Sequence, residues 1–241
     1  MGTGDLASYL VATPAGNILI NTDYERDVPL IRKSVEQLGF KFLDIKIVLI
    51  SHAHDDHVAG TASVIGQTSA KLMVMEGDAA AMERGTTDFQ PSDQHWTPVK
   101  VDRVLHDGDS VELGGSKLVA HLTPGHTRGC TTWTTEVRDG DKTLSVVIEC
   151  SPNVIPAYKL VNDARYPDLA QDFERTFRIL KSLRCDVFLS AHASTYGMKE
   201  KYARLKTGGS NPFVDPTGYR AYVADREAAF RRELNRQQSH R

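Results

Sequence analysis

The order of the predicted elements indicates an α+β protein in which two β-sheets pack together with helices on their outer faces. Strands and helices in the first half of the chain are followed by strands and a helix in the second half, and hairpin runs followed by helices favour this layered arrangement. No Gly-rich loop follows the first strand, so a dinucleotide-binding sheet fits poorly. The 241 residues contain no obvious linker, which predicts one domain over residues 1–241.

The first half begins with a hairpin, because two apolar runs flank the turn "TPAGN". Helical spacing of apolar residues, with Pro29 in the first turn, predicts a helix through "DVPLIRKSVEQLGF". The next elements are the buried strand "IKIVLI", a helix through "GTASVIGQ", the strand "KLMVM" and a helix around "GDAAAMER". Residues 86–100 are polar and predict a long loop, and a loop of that length is usually functional.

The second half predicts a second run of strands and two amphipathic or charged helices. The strands are "DRVLH", "SVELGG", "KLVAHLT", then "TTWTTEV" and "TLSVVIE" as a hairpin around Gly140, and finally "CDVFLS". The helices are "PDLAQDFERTFRILKSL" and the terminal "GYRAYVADREAAFRRELNRQQ".

Composition excludes several classes of partner. The net charge is −2, so no basic excess exists to hold nucleic acid or an anionic membrane surface. No apolar run approaches the roughly 18 residues of a membrane span. The start "MGTGDLASYLV" does not resemble a signal peptide, which predicts either a cytoplasmic protein or one whose leader has been removed.

The three cysteines are too few for a disulfide scaffold. Their apolar surroundings favour buried free thiols at Cys130, Cys150 and Cys185. A bridge between Cys130 and Cys150 is the alternative, since both flank the predicted hairpin at equal distances from Gly140. Adjacent strands often give poor geometry for such a bridge.

Three segments share one design, an apolar strand that ends in a histidine-bearing loop: "VLISHAHDDH", "VAHLTPGHTRG" and "VFLSAHAS". A single histidine after a strand is usually an ordinary loop residue. A surface loop rarely contains H-x-H-x-D-H by chance, so residues 52–57 indicate metal ligands. His52 and His54 leave an extended chain on the same side. With His126 and His192 the count is five imidazoles and one carboxylate, enough for two three-ligand zinc sites with room for solvent.

These motifs resemble those of the metallo-β-lactamase superfamily over nearly the whole chain, and they are most similar to its third subclass. The subclass resemblance rests on "GTGDLASYLV", "TPGHTRGCTTWT", "PAYKLVNDARYPDLAQDFERTF" and "LRCDVFLSAHAS". It implies a four-layer αββα sandwich of two similar halves, with two Zn²⁺ ions at one edge of the sheets. The implied ligands are His52, His54 and His126 for the first zinc, and Asp56, His57 and His192 for the second.

The same resemblance points to the segment after the strand "VVIE". Glyoxalase-II-like, phosphodiesterase and lactonase members usually carry a metal-bridging aspartate there, whereas this chain has Cys150 and Ser151. The Cys150 thiolate either approaches the second zinc or is buried behind the site, and burial is favoured. Ser151 and Asn153 lie where the family contacts the substrate carboxylate, although "SPNV" departs from the double-serine pattern.

The implied activity is hydrolysis of the β-lactam ring of antibiotics by a zinc-bound hydroxide, which two neighbouring metals generate at neutral pH. Asp56 has the catalytic role of orienting the hydroxide or relaying a proton. The alternatives are a hydrolase of the same fold acting on a lactone, thioester or phosphodiester, and a metal-binding protein without turnover. We expect a small-molecule substrate, no nucleic-acid or membrane partner, a monomer, and a periplasmic or secreted location if a leader was removed.

Overall fold

The computed structural model describes residues 1, 4–89 and 94–239, so the part of the predicted loop from 90 to 93 lies outside the described residues. The strands of this described part are Tyr9–Thr13 (β1), Gly16–Ile20 (β2), Ile45–Leu49 (β3), Lys71–Met75 (β4), Arg103–Leu105 (β5), Ser110–Leu113 (β6), Ser116–Leu122 (β7), Thr131–Asp139 (β8), Lys142–Glu149 (β9) and Val187–Ser190 (β10). Its helices are Val28–Gln37 (α1), Asp55–Val58 (α2), Thr61–Thr68 (α3), Glu76–Arg84 (α4), Leu169–Ser182 (α5), Met198–Leu205 (α6) and Pro216–Ser239 (α7).

The first sheet has the strand order β1-β2-β3-β4-β5. β1 and β2 form the predicted antiparallel hairpin, closed by the pairing of Thr13 with Gly16. The remaining neighbours are parallel, because helices or long connections return the chain to the same end before each strand. The sequence suggests that "DRVLH" opens the second run of strands, but β5 instead completes the first sheet, where Leu105 pairs with Met75.

The second sheet has the order β10-β9-β8-β7-β6. β6 to β9 form an antiparallel meander, and β10 runs parallel to β9. The β8–β9 hairpin closes between Asp139 and Lys142, and Gly140 has φ +59°, which a tight two-residue turn requires. Since β7, β9 and β10 run in the same direction, their carboxyl ends meet at one edge of this sheet.

Apolar side chains from both sheets fill the space between them, and helices cover the two outer faces. The buried cluster between the sheets contains residues of both, among them Ile18, Ile20, Leu49, Leu118, Trp133 and Ile148. The Trp133 indole N–H donates to the carbonyl of Ile50 (3.0 Å), which ties the second sheet to the first. α1 and α3 pack on the first sheet, and α5 and α7 on the second, where Phe173 stacks on Phe230. The predicted αββα sandwich is confirmed.

Two α-helices of the described residues escape prediction from the sequence. α2 lies inside the histidine motif and is only four residues long, so its periodicity is too short to recognise. α6 follows the third histidine-bearing loop and is mostly polar, with Lys201 as its buried residue. Each helix contributes a single apolar residue to a core cluster, Val58 from α2 and Met198 from α6, which is too little for a periodic pattern.

Candidate metal centre

The loop after β3 is held by the end of β2. The chain bends at Ala53, where the amide N–H of His54 donates to the carbonyl of His52 (3.1 Å), and His54 is extended at the start of α2. The amide N–H of Ser51 donates to the side-chain oxygen of Asn21 (2.8 Å), and the amide of Thr22 donates to the carbonyl of His57 (2.9 Å). Hydrogen bonds from one neighbouring segment therefore fix both ends of the H-x-H-x-D-H motif.

His52, His54 and His126 form one compact group. Their ring centroids are 4.7 Å apart for His52 and His54, 4.6 Å for His52 and His126, and 4.7 Å for His54 and His126. One ring nitrogen of each lies within 4.8 Å of the others, and all three residues are buried. The first set of residues predicted from the sequence thus converges in space, across the two sheets.

Asp56, His57 and His192 form a second group beside the first. His57 Nε2 lies 3.3 Å from Asp56 Oδ2 and 3.2 Å from His192 Nε2, and His192 Nε2 lies 3.8 Å from Asp56 Oδ2. The rings of His52 and His57 have centroids 4.3 Å apart, so the two groups abut. The second predicted set also converges, with α2 supplying two members and the loop after β10 the third.

The polar atoms of this cluster suit metal ions. His52 Nε2, His54 Nε2 and His57 Nδ1 are buried without a hydrogen-bond partner among the described residues. Buried polar atoms are normally paired, and an orphan costs about 1–3 kcal/mol. Imidazole and carboxylate are ligands that suit zinc. The donor set and its unpaired nitrogens therefore fit the implied metal.

Burial keeps the imidazoles in the form that binds metal. Desolvation, followed by repulsion from neighbouring histidines, holds the pKa of His52, His54 and His57 well below the usual value. Burial lowers the pKa of His126 to about 4. Burial raises the pKa of Asp56, against the opposing effect of His192 and His126. At these four histidines the neutral imidazole dominates at pH 7, so no proton has to leave before a metal binds.

Surrounding groups fix the orientation of the ligand rings. His126 Nδ1 lies 2.9 Å from the carbonyl of Asn153, so it carries the proton and leaves Nε2 unprotonated. The hydroxyl of Tyr158 donates to the carbonyl of His126 (2.5 Å). On the other side of the cluster, His192 Nδ1 lies 3.5 Å from a carboxylate oxygen of Asp5.

Asp78, at the start of α4, joins the two histidine-bearing loops. Its Oδ2 accepts hydrogen bonds from the amide of Ala53 (2.8 Å) and the hydroxyl of Thr127 (2.7 Å), and its Oδ1 accepts from the amide of Gly129 (2.8 Å). A Cβ on Gly129 would lie 2.4 Å from the Asp78 backbone nitrogen, so only glycine permits this approach. No sequence pattern marks Asp78, because an aspartate in the first turn of a helix is usually an ordinary surface residue.

Ser151 and Asn153, predicted to bind substrate, lie beside the cluster and contact each other. Asn153 Nδ2 donates to Ser151 Oγ (3.1 Å), and Arg226 of α7 donates to Asn153 Oδ1 (3.3 Å). Ser151 is buried, whereas Asn153 and Arg226 line a cavity of about 290 Å³ together with Val154 and Ile155. The described structure therefore places Asn153, rather than Ser151, at the accessible surface.

The expectation of free thiols at Cys130 and Cys150 is wrong, because these two cysteines form a disulfide. In the β8–β9 hairpin Trp133 pairs with Ile148, and the same register continued to Cys130 would place it opposite Ser151. The sequence predicts Cys150 at that position, one residue earlier. Both cysteines lie beyond the ends of β8 and β9, where the ladder no longer fixes the register, and their Cα atoms are 5.9 Å apart. Cys150 is therefore not a thiolate facing the second metal group. Cys185 is free and buried, as predicted.

Arg128 connects the two loops that flank the cluster and is a second residue that sequence reasoning missed. Its Nε donates to Asp88 Oδ2 (2.6 Å), and its Nη2 donates to the carbonyl of Arg165. The guanidinium lies 3.9 Å from the ring centroid of Tyr166 and 5.8 Å from that of Phe89. The feature of the sequence that could have indicated this role is the position of Arg128, two residues after His126 in "TPGHTRG".

Known proteins with the same architecture decide the family. The model of the metallo-β-lactamase superfamily matches residues 2–140, more than half of the chain. The FEZ-1 metallo-β-lactamase from Legionella gormanii is 51% identical, with a TM-score of 0.96 over 98% of this chain and 92% of that one. The chain belongs to the metallo-β-lactamase superfamily.

Other solved members resemble the chain over nearly its full length. The subclass B3 enzyme BJP-1 of Bradyrhizobium japonicum is 36% identical, with a TM-score of 0.92 over 98% of this chain and 90% of that one. The class B3 di-zinc enzyme LRA-12 from an Alaskan soil metagenome is 33% identical, with a TM-score of 0.90 over 96% and 89% of the two chains. The predicted similarity to the third subclass is confirmed.

Curated relatives found by sequence carry a different name. A hydroxyacylglutathione hydrolase from Acidiphilium cryptum is 31% identical over 86 residues, and one from Rhodopseudomonas palustris (strain BisB5) is 28% identical over 123 residues. These alignments cover 36% and 51% of this chain, but only 29% and 40% of the relatives. In the part of the chain that the structure describes, no helix has the length and apolarity needed to cross a bilayer.

Proposed function

We propose that the protein is a zinc-dependent hydrolase that opens the ring of β-lactam antibiotics. The observation that carries this proposal is the pair of abutting three-residue groups, on a chain 51% identical to a metallo-β-lactamase over almost its whole length. The di-zinc name of one relative supports two ions. His52, His54 and His126 would hold the first, and Asp56, His57 and His192 the second.

Zinc ions bound by these residues would act as Lewis acids and would lower the pKa of a water molecule towards about 7. The residues of the chain itself orient the metal-binding rings and the attacking water, and they hold or accept protons at defined atoms. His126 keeps its proton on Nδ1 and donates it to the Asn153 carbonyl, which keeps the ring oriented towards the first group. The carboxylate of Asp56, which contacts His57, would orient the attacking water and receive its proton.

Substrate binding falls to the segment after β9. The Asn153 amide is oriented by Arg226 on one side and by Ser151 on the other. The cavity next to Asn153 is also lined by Arg226, which pairs with Asp225, and by the ion pair of Arg236 with Glu233. A substrate carboxylate at this end of the site would accept a hydrogen bond from the Asn153 amide. The polar contact of Ser151 is with Asn153, so its role is to position that amide.

Thioester hydrolysis is the second candidate, and the hydroxyacylglutathione hydrolases among the curated relatives favour it. Two observations count against it. Those alignments cover well under half of the relatives' lengths. The position where such members usually carry a bridging aspartate holds Cys150, whose sulfur is bonded to Cys130 and offers no carboxylate.

The disulfide also supports the proposed location. Disulfides persist in oxidising compartments such as the periplasm and are rare in the cytosol. We therefore assign the protein to the periplasm or the exterior of the cell, where β-lactams arrive, and regard it as a monomer acting on a small-molecule substrate.

The test is hydrolysis by the zinc-loaded protein of a chromogenic cephalosporin, a carbapenem and a hydroxyacyl-glutathione thioester, each with and without a chelator. We expect turnover of the lactams that the chelator abolishes. His54→Ala should reduce the rate by at least about a hundredfold. His121→Ala is the matched control, since His121 bonds Thr134 on the second sheet. Turnover of the thioester alone would overturn the proposal in favour of the second candidate.

A further inference from the structure

The disulfide lies directly against one residue of the metal cluster. Cys150 Sγ is 3.5 Å from His52 Nδ1, the ring nitrogen on the opposite side from the buried, unpaired Nε2. Both sulfur atoms and a nitrogen of His52 lie within 4.8 Å of one another, and all three residues are 0% exposed. His52 therefore separates two sets of ligating atoms: the histidine group and the pair of cysteines.

The spacing of these atoms suits a tetrahedral metal ion. Bonds of about 2.3 Å to sulfur and about 2.0 Å to nitrogen, at a tetrahedral angle, place the two ligand atoms about 3.5 Å apart. That is the spacing found between Cys150 and His52. Two thiolates on one ion lie about 3.8 Å apart, so each sulfur would need to move by roughly 1 Å once the bridge is open. The Cα separation of 5.9 Å leaves room for that movement without a change of backbone.

An oxygen is also at hand for the fourth position. Ser51 Oγ lies 3.1 Å from His52 Nδ1, and the carbonyl oxygen of Ser51 lies 3.3 Å from Cys150 Sγ. Two thiolates, one imidazole and one oxygen form a donor set for a soft or borderline divalent ion. Burial makes two unpaired thiolates costly, and a bound dication offsets that cost.

We propose that reduction of the Cys130–Cys150 disulfide creates an additional metal site beside the histidine cluster, formed by Cys130, Cys150 and His52, for a thiophilic divalent ion. A phosphine or dithiol reductant supplies two electrons, the sulfur–sulfur bond breaks, and each sulfur takes up one proton. With a phosphine, water provides the oxygen of the phosphine oxide. When the ion binds, the two thiol protons and the His52 Nδ1 proton pass to solvent. The site is independent of the proposed lactam hydrolysis, although it shares His52 with that cluster.

The test uses the zinc-loaded protein and Cd²⁺ as the probe. The disulfide is reduced with tris(2-carboxyethyl)phosphine in just enough urea to yield two additional thiols per chain, and the urea is then removed. Cadmium bound to thiolates gives an ultraviolet charge-transfer band that cadmium bound to histidine and carboxylate does not. We expect one cadmium per reduced chain with this band, and no band from the oxidised protein.

Three variants locate the site. Cys130→Ala with Cys150→Ala should abolish the band, whereas Cys185→Ala, which removes the other thiol, should retain it. His52→Ala should weaken cadmium binding at the thiolates by about tenfold or more. The proposal is overturned by a reduced, folded chain without the band, by a band that survives the double substitution, or by a reduced chain that does not refold with cadmium present. None of these readouts depends on which substrate the enzyme hydrolyses.

Discussion

Asp78 provides the most direct test of how the cluster is assembled, because one carboxylate holds a loop from each sheet. Its partners are the amide between the first two histidines of the motif, the hydroxyl of Thr127 and the amide of Gly129. Asp78→Ala would leave two buried backbone N–H groups without an acceptor, while the threonine hydroxyl can rotate to another partner. At about 1–3 kcal/mol each, the lost pairing costs about 2–6 kcal/mol.

An opposing contribution reduces the net effect on stability. Burial raises the pKa of Asp78 from 3.8 to about 6, so the ionised carboxylate is destabilised by about 3 kcal/mol at neutral pH. Removing the carboxylate removes that cost as well. We therefore expect Asp78→Ala to lower the free energy of unfolding by about 1 kcal/mol and by no more than about 3 kcal/mol, yet to weaken metal binding by about 10–100-fold, since the two loops lose their common anchor. Metal affinity, not folding, should reveal the role of this residue.

The pH dependence provides an independent check through Asp78→Asn. A carboxyl group with a raised pKa binds more protons in the folded than in the unfolded state between about pH 4 and pH 6, so stability falls as the pH rises through that window. The asparagine variant lacks this loss. Its stability relative to the native chain should thus increase by about 3 kcal/mol between pH 4 and pH 7, measured by urea unfolding of metal-free protein. A constant difference across this range would refute the reasoning.

Three further predictions concern residues around the cluster. Cys130→Ala with Cys150→Ala opens a bridge between residues 20 apart, which should cost about 3 kcal/mol by chain entropy; an unchanged urea midpoint would contradict this. Arg128→Ala frees two loops, and we expect KM for a cephalosporin to rise about tenfold while kcat stays within about threefold of the native value. Arg128→Lys should recover part of the lost affinity. A fall in kcat alone would rule out a role in substrate binding. Burial raises the pKa of Glu149 to about 8, so its protonated form predominates at pH 7 and stability falls as the pH rises through about 5 to 8. Glu149→Gln should match the native chain at pH 5 and exceed its stability by several kcal/mol at pH 9, and equal curves from thermal unfolding would show that the carboxyl group is not buried.

The local patterns of the sequence predict the frame of the site well. Strand, turn and helix signals depend on neighbouring residues, so the β1–β2 hairpin, β3 and α5 appear near their predicted positions. The convergence of the six histidine and aspartate residues is also predictable, because each segment follows a strand and strand ends meet at sheet edges. These features need only the period of the side chains and the density of the motif.

Other features depend on long-range contacts that a single sequence does not encode visibly. Asp78 bonds to atoms 25 and 51 residues away, and its role follows from how α4 crosses the two loops. Glu149 is a charged residue type in a buried position, where its carboxyl bonds Ser190 of the adjacent strand. Predicting the disulfide requires the register of the β8–β9 hairpin to within one residue. The sequence places the centre of the hairpin at Gly140, whereas the strand pairing places it between residues 140 and 141. Such details are set by packing, not by propensity.

The chemistry at position 150 bears on the choice between the two candidate activities. The six clustered residues comprise five imidazoles and one carboxylate, Asp56, and the neighbouring disulfide carries no charge. Two divalent ions held there would bring four positive charges against the one negative charge of these ligands and that of the nearby Asp5 carboxylate, leaving a net positive site. A bridging aspartate, as in the thioester hydrolases, would reduce that excess. The positive charge of two such ions would favour a substrate that carries a carboxylate and forms an anionic leaving nitrogen, as a β-lactam does.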